Sequence, residues 1–209
     1  MSDTNAYPTL LCRLWRYVIL FLKRPAHVAS LAPSSRFLAR RICDMTQIEL
    51  ADCIIELGPG DGSITRRLLS EMPPIARVLA VELVAEMAEV LQAIDDDRLI
   101  VEHADAQALT TLRTKHGIDR ADVIVSGIPF SNLDTEQAHQ IMEAVFQALK
   151  PGGMFIAYQF RDQINGLAQQ YFGEPEISFV PLNFPPLHVY RWTKRVVPTS
   201  EPQPVLSAT

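Results

Sequence analysis

The stretch "IIELGPGDGSITRRLL", residues 54–69, decides the fold. It opens as a short apolar run and passes through Gly58, Gly60 and Gly62. It then continues with Ile64, Leu68 and Leu69 at helical spacing. A buried strand that runs through a glycine-rich turn into a helix begins a parallel βαβ unit. The glycines let the backbone turn sharply and come close to a ligand.

Working outward, segments 53–57, 78–82, 99–103, 122–126 and 154–159 are short and apolar, as strands buried on both faces should be. Helix-like segments fall between them at about 63–70, 84–94 and 134–149. Asp134 is placed to cap the last, and Lys150-Pro151-Gly152-Gly153 to stop it. Ser34 or Ser35 caps an earlier helix that runs to about Met45. Segments 177–180 and 188–194 add two strands as an antiparallel edge. The expected fold is therefore α/β: a Rossmann-like, seven-stranded, mostly parallel sheet with helices on both faces.

The 209 residues suffice for one domain with a full core. A hydrophobic share of 48% against 21% charged marks a globular chain rather than a disordered one. The net charge of -5 argues against a general nucleic-acid binder, which carries a basic excess. Cys12, Cys43 and Cys53 form no C-x-x-C pair and fit a reducing, cytoplasmic compartment. His103, His116, His139 and His188 show no metal-ligand spacing, so no metal is expected.

Ligands of such sheets bind at the carboxyl ends of the strands. The first strand ends in Glu56, Gly58, Gly60, Asp61 and Gly62. The second ends at Glu82, where an acidic residue accepts hydrogen bonds from ribose hydroxyls. After the third, "HADAQ" sets Asp105 at an adenine edge. A nicotinamide-dinucleotide fingerprint would be G-x-G-x-x-G/A, but its third position here is Ser63. Glu56 would also repel a pyrophosphate. It suits a cationic ligand, and S-adenosylmethionine carries a sulfonium and an ammonium but no phosphate.

"IIELGPGDGSITRRLL", "VLAVEL" and "HADAQ" resemble the successive motifs of class I S-adenosylmethionine-dependent methyltransferases, and "ALKPGGMFIAYQF" resembles the approach to their fifth strand. "RPAHVASLAPSSRFLARRI", "VSGIPF" and "VYRWTKR" resemble the bacterial phospholipid N-methyltransferases. Those enzymes methylate phosphatidylethanolamine toward phosphatidylcholine at a membrane. Their relatives, the rRNA adenine dimethyltransferases, carry N-[LIV]-P-[YF] after the fourth strand. The corresponding stretch here is Ser126-Gly127-Ile128-Pro129-Phe130, which keeps the Pro-aromatic pair and lacks the Asn.

The resemblance implies roles. Glu56, Gly58, Gly60 and Gly62 would surround the methionine end of S-adenosylmethionine, Glu82 and Leu83 the ribose, and Asp105 and Ala106 the adenine, with Ser126 alongside. Ser34 and Ser35 would bind the cofactor carboxylate or a lipid phosphate, or simply cap a helix. Gly127, Pro129 and Phe130 would border the acceptor amine, Phe130 through cation–π attraction to a methylated ammonium. Tyr158 and His27 are candidates to accept the amine proton. Arg161, Arg191 and Lys194 are candidates to pair with a lipid phosphate.

The opening stretch "LLCRLWRYVILFLKRP", residues 10–25, fits this reading. Its unbroken apolar run is too short to span a bilayer, which takes ~20 residues. On a helical wheel Arg13, Arg16, Lys23 and Arg24 gather within about 100°, and Trp15 lies on the wide apolar face, as in an interfacial helix. The expected organisation is an amphipathic membrane-docking helix within 1–30, a methyltransferase domain over 31–197 and a disordered Pro/Ser-rich tail over 198–209. The expected partners are an anionic membrane surface and a phospholipid at the inner face of the cell membrane, with no nucleic acid. Rival readings are a methyltransferase for another aminolipid or small amine, an rRNA adenine N6-dimethyltransferase, and a cofactor-binding adaptor without catalysis.

Overall fold

The computed structural model describes residues 35–159, 162–183 and 186–196. The amphipathic stretch with Arg13, Trp15, Arg16, Lys23 and Arg24, the tail, and His27, Ser34 and Arg161 lie outside the described residues.

The chain enters through helix α1 (Arg36–Asp44). Ser35 caps it, its Oγ accepting from the Leu38 amide at 3.2 Å. Leu38, Ala39, Ile42 and Cys43 form its buried face. Then follow β1 (Cys53–Leu57), α2 (Ser63–Glu71), β2 (Arg77–Glu82), α3 (Ala85–Gln92), β3 (Leu99–His103), α4 (Leu109–Lys115) and β4 (Ala121–Ser126). The chain closes with α5 (Thr135–Ala148), β5 (Leu149–Gln159), α6 (Gln163–Phe172), β6 (Glu176–Val180) and β7 (Leu187–Thr193).

The seven strands form one sheet in the order β3-β2-β1-β4-β5-β7-β6. β3, β2, β1, β4 and β5 pair in parallel, and β7 runs antiparallel to both β5 and β6. Every residue of β1 is buried, which is why it carries no polar alternation. On one face, Leu109 and Leu112 of α4, Ile141 and Val145 of α5 and Phe172 of α6 cover Ile55, Leu57 and Ile124. On the other, Leu38 and Ile42 of α1 and Ile64 and Leu68 of α2 cover Ile54, Val123 and Ile156.

The antiparallel edge is held by an aromatic row. Phe172, Phe155, Trp192 and Tyr190 follow one another with ring centroids 5.7, 5.4 and 5.6 Å apart. Such pairs add about 0.5–1.5 kcal/mol each beyond their burial.

Lys150-Pro151-Gly152-Gly153 differs from its expected role. Asp134 caps α5 in a capping box with Gln137 as expected, but β5 begins at Leu149 and runs through the four residues. The ladder with β4 shifts register there, from Ala121–Leu149 to Val123–Met154. The irregularity admits a proline that a regular central strand would exclude.

Candidate active site

The carboxyl ends of β1, β2, β3, β4 and β5 lie along one rim. Gly58, Gly60 and Gly62 all have positive φ, at 68°, 59° and 74°, which only glycine adopts without strain. The turn is tied to the next strand end. Gly58 N donates to Val81 O at 2.9 Å, and Gly60 N donates to Glu82 Oε2 at 2.9 Å. Glu82 Oε1 accepts from Val84 N at 2.8 Å, so both carboxylate oxygens hold backbone N–H groups while the carboxylate, with about four acceptor sites in all, keeps room for a hydroxyl.

Glu56 is wholly buried. Thr65 of α2 donates to its Oε2 at 2.6 Å, while Oε1 is buried with no partner. Burial pushes this carboxyl up to about 8; the Thr65 hydroxyl works against the rise, and the charges of Glu82 and Asp61 add to it. Burial also raises Glu82, against the pull of three backbone N–H groups. Asp61 accepts from both Ser63 N (3.0 Å) and Ser63 Oγ (2.7 Å). Arg66 donates to the main-chain oxygen of Asp61 (2.9 Å).

At the third strand end Asp105 is exposed and caps a short turn by accepting from Gln107 N at 2.8 Å, with Ala106 buried beside it. Leu83 is 53% exposed, and its carbonyl lies 3.2 Å from His103 Nε2. At the fourth, Ser126 is buried, its Oγ accepting from Ile128 N, and Gly127 N donates to Leu57 O at 2.8 Å. Tyr158, beyond the pair Ser126–Ala157 at the end of β5, brings its hydroxyl against Gly127. Ser35 stands at the same rim, its amide donating to Asn183 Oδ1 at 2.9 Å.

Three expected site residues stand elsewhere. Phe130 packs into the core cluster with 5% exposure, while Pro129 before it is half-buried, so the Phe130 ring is core and not an open aromatic wall. Arg191 pairs opposite Ile156, in mid-strand, and its guanidinium is engaged by Glu176 and the Met45 carbonyl. Lys194 lies at the opposite end of the sheet. Its Nζ donates to Phe146 O and Leu149 O at 2.6 and 2.9 Å, capping the end of α5. Neither cation is turned to the rim.

Thr65 escaped the sequence reading, although a polar residue on the apolar stripe of α2, beside Ile64, Leu68 and Leu69, signals a buried partner. Gln159 did too; its Nε2 donates to Ile128 O and braces the loop after β4.

The rim thus presents two buried carboxyl groups and a glycine turn, one carboxylate oxygen lacking a partner. That set fits a cationic nucleoside and not a pyrophosphate. Residues 54–153 match the methyltransferase-domain family. An ornithine lipid N-methyltransferase from Singulisphaera acidiphila is 31% identical over 179 residues, covering 81% of this chain and 90% of that one. This chain belongs to the class I S-adenosylmethionine-dependent methyltransferases.

Another curated relative is similar over less of its length. A ribosomal RNA small subunit methyltransferase A from Leifsonia xyli is 30% identical over 66% of this chain, which spans about half of that protein (49%). Among solved structures, the 1,6-didemethyltoxoflavin-N1-methyltransferase of Burkholderia thailandensis shares the fold with a TM-score of 0.62 at 16% identity, covering 94% of each chain. The cofactor of this methyltransferase is S-adenosylmethionine, and its residues fit that molecule. Glu56 Oε1 is a buried acceptor without a partner, Glu82 keeps acceptor capacity for ribose, and the glycine turn allows close approach. Among the described residues no group of three metal-ligating side chains is found, and no helix is long and apolar enough to cross a membrane.

Proposed function

We propose that this N-methyltransferase acts on the amine of a membrane aminolipid, at the membrane surface. The observation that carries the reading is the likeness to the ornithine lipid N-methyltransferase over most of both chains. When bound, S-adenosylmethionine supplies an activated methyl group on a sulfonium. The residues of the chain then have to hold, orient and desolvate. Glu56 balances the positive charge of the cofactor, Glu82 holds its ribose, Asp105 and Ala106 border its adenine, and Gly127 and Pro129 border the acceptor.

Two features favour an amino-acid head group over phosphatidylethanolamine. The relative is named for ornithine lipid, and ornithine is an amino acid whose side chain ends in a primary amine. Moreover, Arg191 and Lys194, the described cations expected to hold a lipid phosphate, are engaged away from the rim. Phosphatidylethanolamine remains the second acceptor.

Docking at an anionic surface is supported by α1 as well as by the amphipathic stretch before it. Arg36, Phe37, Arg40 and Arg41 are exposed on α1, the Arg36 guanidinium 5.0 Å from the centre of the Phe37 ring. Leu182, also exposed, precedes the Asn183 that holds Ser35. Basic and apolar side chains mixed at one edge suit a lipid interface, and each basic residue near an anionic leaflet contributes ~1 kcal/mol.

The test is methyl-labelled S-adenosylmethionine with vesicles containing ornithine lipid or phosphatidylethanolamine, followed by lipid separation. Label in the ornithine lipid above that in phosphatidylethanolamine is expected. Label in neither would reject an aminolipid acceptor.

A further inference from the structure

Gly127 follows β4 and has an ordinary negative-φ or extended backbone, so nothing in its conformation calls for glycine. Space does. A Cβ at this position would lie 2.1 Å from the Tyr158 hydroxyl oxygen, 2.7 Å from Tyr158 Cζ and 2.7 Å from Gly58 O. No side chain at position 127 can coexist with the phenol where it stands. Position 127 is also where N-[LIV]-P-[YF] has its asparagine, so the phenol from β5 fills the place in which that side chain would begin.

We propose that Gly127 and Tyr158 form a specificity pair: the glycine makes room for the phenol, and Tyr158 Oη and Gly58 O together take the two N–H groups of a primary aliphatic amine. This rests on the aminolipid reading above. Both oxygens crowd the same point, close enough for one nitrogen to reach both at ordinary hydrogen-bond lengths of about 2.9 Å. A carbonyl oxygen is an acceptor only, and a phenol oxygen accepts while its own O–H turns elsewhere. The carboxyl ends of β1, β4 and β5, which carry these groups, adjoin the glycine turn and Glu56, where the methyl donor sits in the proposed site.

Held in this way, a neutral primary amine has its remaining lone pair directed away from the two oxygens. That pair forms the new N–C bond while the methyl–sulfur bond breaks, and sulfur leaves with the bonding electrons as a neutral thioether. The nitrogen becomes a methylated ammonium and releases one N–H proton to water. The two acceptors therefore favour the amine in proportion to the N–H groups it still has. A primary amine can use both, a secondary amine one, and a neutral tertiary amine none.

The experiment compares wild type with Tyr158→Phe, which keeps the ring and removes only the hydroxyl. The acceptors are vesicles containing an aminolipid in its unmethylated, monomethylated and dimethylated forms. Cofactor affinity by calorimetry and the melting temperature are measured alongside and are expected to hold. In kcat/KM the variant should lose about 10- to 100-fold on the primary amine, less on the secondary amine and almost nothing on the tertiary one. Gly127→Ala, which drives the phenol aside, should reproduce that grading. A merely structural role would lower all acceptors that the wild type uses by the same factor, and that result, or unchanged rates in Tyr158→Phe, would overturn the pair. No transfer by the wild type to any aminolipid would instead reject the acceptor class and this inference with it.

Discussion

Glu56 is a carboxyl with no exposed surface, one oxygen held by Thr65 and the other without a partner. An unsatisfied buried group of this kind costs about 1–3 kcal/mol, which a cationic ligand offsets. Because burial raises its pKa from 4.5 to about 8, the folded chain without cofactor holds a proton there at neutral pH while the unfolded chain has released it. The stabilising contribution is thus fully present below about 4.5 and is lost as pH rises toward about 8. Denaturant unfolding across that window should show this decline in wild type and a flatter profile in Glu56→Gln. The sulfonium and ammonium of the cofactor favour the ionised form, so binding should release a proton and tighten as pH approaches about 8. Calorimetry in buffers of different ionisation enthalpy checks this, and Glu56→Gln should bind about 10- to 100-fold more weakly with no proton release. The carboxylate and its liking for a cation were legible in "ELGPGDG"; its full burial was not, because that depends on α2 folding back over β1.

The elements show which local signals survive packing. Strands β1 and β3 coincide with their apolar runs, and Asp134 caps α5 as its neighbours require. Helices α4 and α6 left no readable periodicity, one being seven residues long and the other broken in pattern by Gly166. The places of Arg191 and Lys194 follow from the register of an antiparallel edge, which local sequence does not specify. Two glycines make this level testable. Gly62 opens α2 at φ 74°, and a Cβ there would lie 2.9 Å from Leu91 Cδ2. Gly62→Ala should therefore cost about 1–3 kcal/mol, read as a lower urea midpoint. Gly166 lies exposed within α6, and a Cβ would meet nothing within 4 Å. Gly166→Ala should stabilise by about 0.5–1 kcal/mol in the same measurement.

At the scale of the molecule, an acidic chain of net charge -5 carries Arg36, Arg40 and Arg41 together on the helix that enters at the cofactor rim. A chain repelled as a whole by an anionic leaflet, yet basic at one edge, should dock in one orientation. Arg36, Arg40 and Arg41 changed together to Glu should reduce sedimentation with anionic vesicles while cofactor affinity holds. Wild-type sedimentation should fall as salt rises from 0.1 to 1 M, where the screening length drops from about 10 to about 3 Å. The same comparison applies to Arg13, Arg16, Lys23 and Arg24. Binding unaffected by either change would remove the electrostatic docking surface.

The most direct measurement of the central claim leaves the acceptor unspecified. Wild-type protein and Gly60→Val, whose side chain would obstruct the turn at φ 59°, are each incubated with methyl-labelled S-adenosylmethionine and a total bacterial extract. Lipids, RNA and water-soluble amines are then separated. Label confined to the lipid fraction, migrating as an N-methylated aminolipid and absent with Gly60→Val, is the predicted result. Label in RNA or in the water-soluble fraction, with none in lipid, would contradict the account.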